Sequence, residues 1–598
     1  MLKRFLIGLF KNENPALIIF MGVLLVLRLW LARLIGCRFA PEQYYDDTIL
    51  VQYADLYSHF IAQDLPAKDL LVKDIGFPLI LSFVKASGLA YTDLISLMYF
   101  AAALSAVMLF RVLSAKKNFL RDAAIFAFVL FMPIAFDFNA GTPLYRNAVL
   151  PPLYFIVLTM MTLIFARHFI KPHAENVAFN IIFGVIFTLT YYIKEDGLWL
   201  LICLAAVTLI CFVKLIAEKF LSDSQRLRYI AILLLPLFIF AGGTVVYKGV
   251  NKIFFGVYLI NNRTEGELGY FVKQVYKIKA DGRRASIWAP TDAINQAFNA
   301  SETLRGNSNL RGKVFNNNWF GDITKTPIHG DFLGWVMLSA LYDSGTCKTP
   351  IEQEELLSKV NAELDAAFEA GILQRDDRFQ IVSSMGGMTA REIFSLTPLV
   401  LREYFSHVTT YYYLPGALPL DFAPYAEKFD FPRRPEDYGL KSLVMTQNTE
   451  PADLIDKAEA VTNMNFRAEN PRAAVANSLA EKIFIVYSLI QSLLFVAAVI
   501  GVCGSLRELI RRTRKFSLNE YLILAVACGE FMLSIAYAFA IAWFCYFLRE
   551  NGNDIWLLTL KYYSTALVPM LMTFEISGAY LFCRLYKNFK KERLKWQQ

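Results

Sequence analysis

Long apolar runs recur along the chain and constrain its fold more than any other feature. A run of about 18 or more apolar residues is long enough to cross a bilayer as a helix. Of the 598 residues, 56% are hydrophobic and 19% are charged, against about 45–50% and about 25% in soluble proteins. The sequence therefore predicts an all-α polytopic membrane protein with about ten transmembrane helices, at residues 15–36, 93–110, 122–138, 148–166, 177–193, 197–217, 229–250, 481–504, 519–547 and 557–583.

The first apolar run imitates a secretory signal because it follows Lys3 and Arg4. However, residues 15–36 are too many for the apolar core of a signal peptide, and they include Arg28 and Arg33. We therefore expect a retained first helix. Arg28 lies well inside this helix, where a guanidinium group must snorkel to the interface or find a partner.

Lysine and arginine concentrate in every second connection between the predicted spans, as at Lys116 and Lys117 and in the tail after residue 583. Cytoplasmic loops collect such residues, so we predict cytoplasmic termini in a multi-pass protein of a bacterial inner membrane or other plasma membrane. The net charge of +8 then reflects topology, and no nucleic-acid partner is predicted. The remaining connections are expected outside the cytoplasm: 37–92, 139–147, 194–197, 251–480 and 548–556.

Three regions follow from this topology. Residues 1–250 form an N-terminal membrane module of about seven helices, and residues 481–598 form a C-terminal module of about three helices with a basic tail. Between spans seven and eight, residues 251–480 are numerous enough for a mainly helical extracytoplasmic domain. The apolar stripe between Ile351 and Gly371 predicts one of its amphipathic helices, with the glycine as the stop.

The first outer loop, 37–92, also has helical periodicity. Apolar side chains recur at helical spacing from Ile49 to Phe60, a pattern typical of a helix that lies in the membrane interface. A second such stretch begins near Pro66, and we expect Gly76 and Pro78 to break it and turn the chain.

Asp46 and Asp47 precede the interfacial helix directly. If one carboxylate is desolvated beside its charged neighbour, its pKa rises and it can act as a general base for a hydroxyl group. The pair is also a candidate ligand for a hard divalent cation such as Mg²⁺ or Mn²⁺. The alternatives are a solvated acidic turn or a helix N-cap.

Further candidates lie in the predicted outer connections 139–147, 194–197 and 251–480, in the first outer loop itself, and at the outer end of the last predicted span. Lys194, Glu195 and Asp196 interrupt an apolar stretch, and charges at such depth usually face a cavity or a partner; the alternative is a polar turn at Gly197. Arg146 is a cation near the end of a span, with an interfacial anchor as the alternative. The other candidates are Lys73, Lys561 and Tyr562, and Lys561 and Tyr562 also fit an aromatic belt. His329, Asp331 and Trp335 are weaker candidates, as contacts to an acceptor.

Together these residues resemble the GT-C superfamily of membrane glycosyltransferases. The resemblance rests on the Asp46–Asp47 loop, the turn with Lys73, Gly76 and Pro78, the sequence Lys194-Glu195-Asp196-Gly197, and Lys561-Tyr562. It covers residues 1–250 and, faintly, 481–583. Two features depart from the family: the large domain is inserted between spans seven and eight, and the acidic pair is Asp-Asp.

The resemblance implies transfer of a sugar from a polyprenyl-phosphate donor to a glycan, lipid or protein acceptor outside the cytoplasm. It implies an acidic residue of the first outer loop, Asp46 or Asp47, as the catalytic group. It also implies that Lys194, Arg146, Lys561 and Lys73 bind the donor phosphate, with Glu195, Asp196 and Tyr562 in support. Two alternatives stay open, a transporter or flippase of a lipid-linked saccharide and a non-catalytic assembly protein of the cell envelope.

Overall fold

The computed structural model is mainly helical, with about three quarters of the chain in helices and almost no β-sheet. It describes residues 14–39, 45–59, 65–170, 177–218, 221–380, 382, 385–410, 413–414, 416, 452–466, 472–512, 515–549 and 562–597. Within these ranges, the side chains of residues 45–47, 56–59, 452–453, 473, 548–549 and 591–597 are not described.

Twenty-one α-helices are described, together with three short 3₁₀ segments (Ala67–Asp69, Pro133–Phe136 and Tyr546–Arg549) and one two-stranded antiparallel hairpin. The hairpin pairs β1 (Asn316–Asn317) with β2 (Gly321–Asp322). The helices are α1 Pro15–Ile35, α2 Tyr45–His59, α3 Gly76–Ser87, α4 Tyr91–Ser114, α5 Phe119–Leu130, α6 Arg146–Ile170, α7 Val177–Tyr191, α8 Leu198–Ala217, α9 Asp223–Phe255, α10 Gly266–Lys277, α11 Thr291–Ala300, α12 Glu302–Arg305, α13 Ser308–Phe315, α14 Phe332–Asp343, α15 Pro350–Glu369, α16 Ala390–Ser395, α17 Thr397–Thr409, α18 Ala452–Thr462, α19 Ala473–Arg511, α20 Leu518–Cys545 and α21 Leu567–Gln597.

Eight of the described helical stretches are long and apolar enough to cross a membrane, namely α1, α4, α5 with the 3₁₀ segment after it, α6, α8, α9, α19 and α20. The predicted class, a helical multi-pass membrane protein, is confirmed, whereas the count of ten is not. Helix α7 has only 15 residues. The last predicted span, 557–583, corresponds to α21, which begins at Leu567; residues 557–561 lie outside the described part of the chain.

The C-terminal membrane helices pack closely because small residues line their contact. Helix α21 packs against both α19 and α20. A Cβ atom added to Gly501 of α19 would lie 2.2 Å from the carbonyl oxygen of Gly578 in α21. Glycines at such positions let two helix backbones approach each other, as is common between membrane helices.

Arg28 is buried inside the bundle and has partners there. Its Nη1 atom donates a hydrogen bond to the carbonyl oxygen of Leu130 at 2.7 Å. Its guanidinium carbon lies 4.1 Å from the ring centre of Tyr99 and 4.6 Å from that of Phe136. Arg28 was expected either to snorkel to the interface or to find a partner, and the structure shows that it finds partners inside the bundle.

The helices from α10 to α17 form the polar part of the structure. The predicted amphipathic helix is present as α15, and its buried residues Leu357, Val360 and Leu364 face α10. The short hairpin of this part pairs Asn316 with Asp322 and Asn317 with Gly321. This polar part meets the membrane helices where the indole of Trp543, near the end of α20, donates to the carbonyl oxygen of Gly386 at 3.1 Å.

The prediction that Gly76 and Pro78 break a helix is wrong. Gly76 is the first residue of α3 and Pro78 lies in its first turn. Proline is tolerated there because the amide groups of the first turn have no partner within the helix. The two residues therefore start a helix directly after the Lys73–Asp74 pair.

Candidate functional site

Three connections meet at one end of the membrane helices and hold one another by backbone hydrogen bonds. The Gly76 amide donates to the carbonyl oxygen of Tyr192 at 2.7 Å, and the Asn262 amide donates to the carbonyl oxygen of Leu71 at 2.6 Å. A Cβ atom on Gly76 would lie 2.4 Å from the Tyr192 oxygen, so this approach requires glycine. The loop before α3, the turn after α7 and the loop before α10 are thereby fixed against one another.

The charged side chains of these connections form a compact group, which we call the charge cluster: Lys73, Asp74, Arg146, Lys194, Glu195, Asp196, Arg263 and Asp331. Three ion pairs lie within it. Arg146 Nη1 is 2.5 Å from Glu195 Oε2, Lys194 Nζ is 3.1 Å from Asp196 Oδ2, and Arg263 Nη1 is 3.3 Å from Asp331 Oδ2. Lys73, Asp74, Arg146 and Lys194 are each at most 5% exposed. Charges buried this deeply are costly unless they are paired and hydrogen-bonded.

Aromatic rings surround the cations. Lys73 Nζ lies 5.0 Å and the Arg263 guanidinium carbon 4.7 Å from the ring centre of Trp335. Lys194 Nζ lies 4.7 Å from the ring centre of Tyr563. These distances are within the range of cation–π attraction, so the rings hold the cations in place without neutralising them.

Tyr562 belongs to the wall on the other side of Arg146. Its ring stacks on that of Tyr145 with 5.2 Å between the centres, and the Tyr145 hydroxyl accepts a hydrogen bond from Arg146 Nη2 at 2.7 Å. The side-chain amide of Asn147 donates to the Tyr562 carbonyl oxygen at 2.7 Å. The start of α6 and the residues just before α21 are therefore joined at the cluster.

Two carboxyl groups of the cluster have pKa values displaced in opposite directions. Burial would raise the pKa of Glu195, but the charges of Arg146, Lys73 and Arg263 outweigh it and lower the pKa to about 2. Burial raises the pKa of Asp74 well above its usual range, and the charge of Glu195 raises it further. Arg146 and a hydrogen bond with Asn261 oppose this only in part. Such a split between two nearby acids is typical of catalytic carboxyl pairs.

The protonation of Asp74 sets the net charge of the cluster. With Asp74 neutral, four cations (Lys73, Arg146, Lys194 and Arg263) face three carboxylates, which leaves a net charge of +1. Glu265, whose charge also raises the pKa of Asp74, is paired with Lys248 at 3.0 Å and does not change this balance. A buried, net positive group at the end of membrane helices can attract the anionic headgroup of a lipid.

The structure brings together most of the residues that the sequence singled out. Lys73, Arg146, Lys194, Glu195, Asp196, Asp331, Trp335 and Tyr562 all lie in or against the cluster. The ring of His329 lies 5.9 Å from that of Phe320. Asp46 and Asp47 are in the first turn of α2, but their side chains lie outside the described residues, as does Lys561.

Sequence reasoning missed two members, Asp74 and Arg263. Asp74 is adjacent to Lys73, and its burial is the signal that distinguishes it from a solvated acid. Arg263 contacts Asp331, 68 positions away, and no local pattern reveals such a pairing.

The predicted metal site on Asp46 and Asp47 stays a prediction. Within the described residues, no group of three His, Cys, Asp or Glu side chains is arranged to hold a metal ion. The chemistry that the described residues offer is binding of an anion by Lys and Arg and proton exchange by a carboxyl group with a raised pKa.

Comparison with known proteins found no match: no family model matches the chain, and neither do any of the curated proteins or solved structures.

Proposed function

We propose that this protein transfers a sugar from a polyprenyl-phosphate donor to a glycan, lipid or protein acceptor outside the cytoplasm, as the resemblance to GT-C glycosyltransferases implies. The observation that carries the proposal is the charge cluster. It combines buried cations with a carboxyl group of raised pKa at the end of apolar helices. The buried cations can bind a lipid phosphate, and the carboxyl group can accept the proton of a hydroxyl acceptor.

The cations bind the phosphate of the donor. An ammonium group has three donors, and although Lys194 Nζ lies 3.1 Å from Asp196 Oδ2, it makes no hydrogen bond among the described residues. As the bond between the anomeric carbon and the phosphate oxygen breaks, negative charge develops on that oxygen. Lys194 and Arg146 stabilise it electrostatically in a site largely shielded from water. The polyprenyl phosphate then leaves with both bonding electrons.

A carboxylate accepts the proton of the acceptor hydroxyl as its oxygen attacks the anomeric carbon. The candidates are Asp46 and Asp47, from the resemblance, and Asp74, from the charge cluster. A raised pKa makes Asp74 a stronger base once it is ionised, because basicity follows pKa. Direct displacement inverts the anomeric configuration, which is the course that the resemblance implies.

The proposal places the cluster outside the cytoplasm and both termini inside. Single cysteines at Lys116 and Lys348, both exposed, in a background without other cysteines, test this orientation. A membrane-impermeant maleimide added to intact cells should label Lys348→Cys and leave Lys116→Cys unlabelled. The reverse pattern would contradict the orientation.

The decisive experiment is a transfer assay with purified protein in nanodiscs, a set of polyprenyl-phosphate sugars, and candidate acceptors. The variants are Asp46→Asn, Asp47→Asn, Asp74→Asn and Lys194→Gln. The matched controls are Asp281→Asn and Lys359→Gln, which change exposed residues. We expect Lys194→Gln and at least one Asn variant to lose about 100-fold or more in rate, since one general base contributes about 10²–10⁴-fold. Full activity in all four variants would rule out the catalytic assignment.

A second candidate is a transporter or flippase of a lipid-linked saccharide, and one observation favours it. A cavity of about 980 Å³ runs between α1, α5, α19 and α21, lined by apolar residues that include Leu27, Trp30, Phe128 and Tyr580. This volume can hold part of a lipid chain during translocation. Movement of a fluorescent lipid-linked sugar across proteoliposomes, without transfer to an acceptor, would favour this candidate.

A further inference from the structure

A polar cavity lies in the polar part of the structure, apart from the ion pairs of the charge cluster. Its volume is about 190 Å³, below the roughly 300–1,000 Å³ of sites for drug-sized ligands, so it suits a ligand no larger than about one sugar residue. It lies between the end of α10 and the chain after α15, and its lining is Tyr276, Lys277, Arg283, Arg375, Asp376, Arg378, Gln380 and Gly387.

Backbone hydrogen bonds build the walls of this cavity. The Asp376 amide donates to the carbonyl oxygen of Lys277 at 2.7 Å, and the Lys279 amide donates to that of Gln374 at 2.8 Å. The two segments thus run side by side for several residues. Lys277 and Arg375 are held at the cavity by the same backbone contacts.

Two of the four cations in the lining already have carboxylate partners. Arg283 Nε lies 3.0 Å from Asp376 Oδ2, and the Arg283 side chain is only 3% exposed. Its other nitrogens donate to backbone carbonyl groups, among them that of Tyr276 at 2.8 Å. Arg378 Nη1 lies 3.0 Å from Glu392 Oε2. These two arginines hold the cavity in shape.

The other two cations are Lys277 and Arg375. Among the described residues, neither has a carboxylate within 4 Å. The guanidinium carbon of Arg375 lies 4.6 Å from the ring centre of Phe368, which holds the group without neutralising it. Among the described residues, the lining therefore has two positive charges without a carboxylate partner. An anion is the ligand that this arrangement favours, because arginine binds carboxylate and phosphate groups through paired N–H donors.

The neutral part of the lining indicates that the ligand is more than an ion. Gln380 offers an amide donor and acceptor, and Tyr276 offers an aromatic ring. Such groups complement the hydroxyl groups and apolar faces of a sugar. A carboxylate or a phosphate carried on a sugar residue would use both parts of the cavity.

Tyr276 links this cavity to the charge cluster. Its hydroxyl donates to the carbonyl oxygen of Gly330 at 3.4 Å. Gly330 precedes Asp331, which is paired with Arg263 in the cluster. One buried tyrosine side chain thus separates the two sites, so the cavity and the charge cluster share a wall.

We propose that this cavity, lined by Lys277 and Arg375, binds an anionic sugar residue, one that carries a carboxylate or a phosphate. Its role as a subsite for an acidic acceptor glycan rests on the proposed function. Its affinity for the anionic sugar does not depend on transfer.

Calorimetric titration of the full-length protein in nanodiscs, without donor, tests the inference with glucuronate, glucose 6-phosphate, inorganic phosphate and glucose as probes. At least one of the two anionic sugars should bind about tenfold or more tightly than glucose and than inorganic phosphate. The double variant Lys277→Gln/Arg375→Gln should weaken that binding about tenfold, which is about 1.4 kcal/mol. The control Arg305→Gln/Lys313→Gln removes two exposed cations of the same region and should leave binding unchanged.

A charge-preserving variant, Lys277→Arg/Arg375→Lys, separates lost charge from misfolding and should retain most of the affinity. Equal binding of glucose and both anionic sugars, or unchanged binding in the Gln double variant, would overturn the inference. Inorganic phosphate that binds as tightly as the anionic sugars would overturn its saccharide part. If anionic sugars bind but no sugar is transferred, the proposed function fails and this inference stands.

Discussion

The ion pair between Arg146 and Glu195 allows a quantitative test of the charge cluster. Replacing Arg146 by Gln leaves the Glu195 carboxylate, which is 17% exposed, without its partner at 2.5 Å. The pKa of Glu195 lies at about 2 instead of its ordinary 4.5, which corresponds to about 3 kcal/mol. Lys73 and Arg263 share in this stabilisation. We therefore expect a coupling of about 2 kcal/mol between Arg146 and Glu195.

The sign of the pH dependence follows from the direction of the pKa. A carboxyl group whose pKa is lower in the folded protein stabilises the fold above its ordinary pKa. That stabilisation is lost as the pH falls from 4.5 through about 2. The full contribution of Glu195 is about 3 kcal/mol at pH 7 and about 1 kcal/mol at pH 3. The coupling with Arg146 should shrink in the same proportion.

The assay is a double-mutant cycle on reversible unfolding in mixed micelles of dodecyl sulfate and a mild detergent. Wild type, Arg146→Gln, Glu195→Gln and the double variant are compared at pH 7 and pH 3. The exposed pair Lys68–Asp343, with side chains 39% and 30% exposed, provides a control cycle in which we expect about 0.2–1 kcal/mol. A coupling below about 0.5 kcal/mol for Arg146 and Glu195 at pH 7, or an equal coupling at both pH values, would refute the reasoning.

Two further predictions concern the packing at Gly76 and the titration of Glu354. Gly76→Ala should lower the thermal midpoint in detergent and abolish transfer, because its Cβ would lie 2.4 Å from the Tyr192 carbonyl oxygen. The control Gly249→Ala meets no atom within 4 Å and should leave both unchanged or slightly improved. Burial, and secondarily the charge of Glu267, raises the pKa of Glu354 to about 7 from its ordinary 4.5. This carboxyl group therefore costs stability progressively as the pH rises from 4.5 to 7. Glu354→Gln should flatten the pH dependence of the thermal midpoint over that window, and the exposed control Glu355→Gln should not; a flat wild-type profile would contradict the assignment.

Elements that depend on local periodicity were predictable from the sequence. The apolar stripe between Ile351 and Gly371 predicts a helix, and α15 runs from Pro350 to Glu369. Thr349 caps its first turn, and Gly371 has a φ of +72°. The longest membrane helices extend beyond their apolar runs, as α9 does, because their polar ends continue the helix into water.

The composition of the charge cluster was predictable only where charges interrupt apolar runs. Lys194 stands out in this way, since a charge that interrupts an apolar run is rare enough to be noticed. Asp74 has no such contrast with its surroundings, and only its burial and its proximity to Glu195 separate it from an ordinary loop acid. Arg263 depends on a tertiary contact with Trp335. The signal for these two residues lies in the packing.

Stability alone does not account for a buried group of eight charged or titratable side chains. Replacing a buried ion pair by apolar residues is often neutral or stabilising, so the three ion pairs of the cluster are not required to hold the fold together. The double variant Arg146→Gln/Glu195→Gln separates a structural role from a ligand-binding role, because it removes both members of this ion pair at once and leaves neither of them without the other. If the cluster serves a ligand, this variant should unfold within about 1 kcal/mol of wild type and yet lose transfer. If it instead unfolds far more easily, the pair is structural, and the cations that remain to bind a lipid phosphate are Lys73, Lys194 and Arg263.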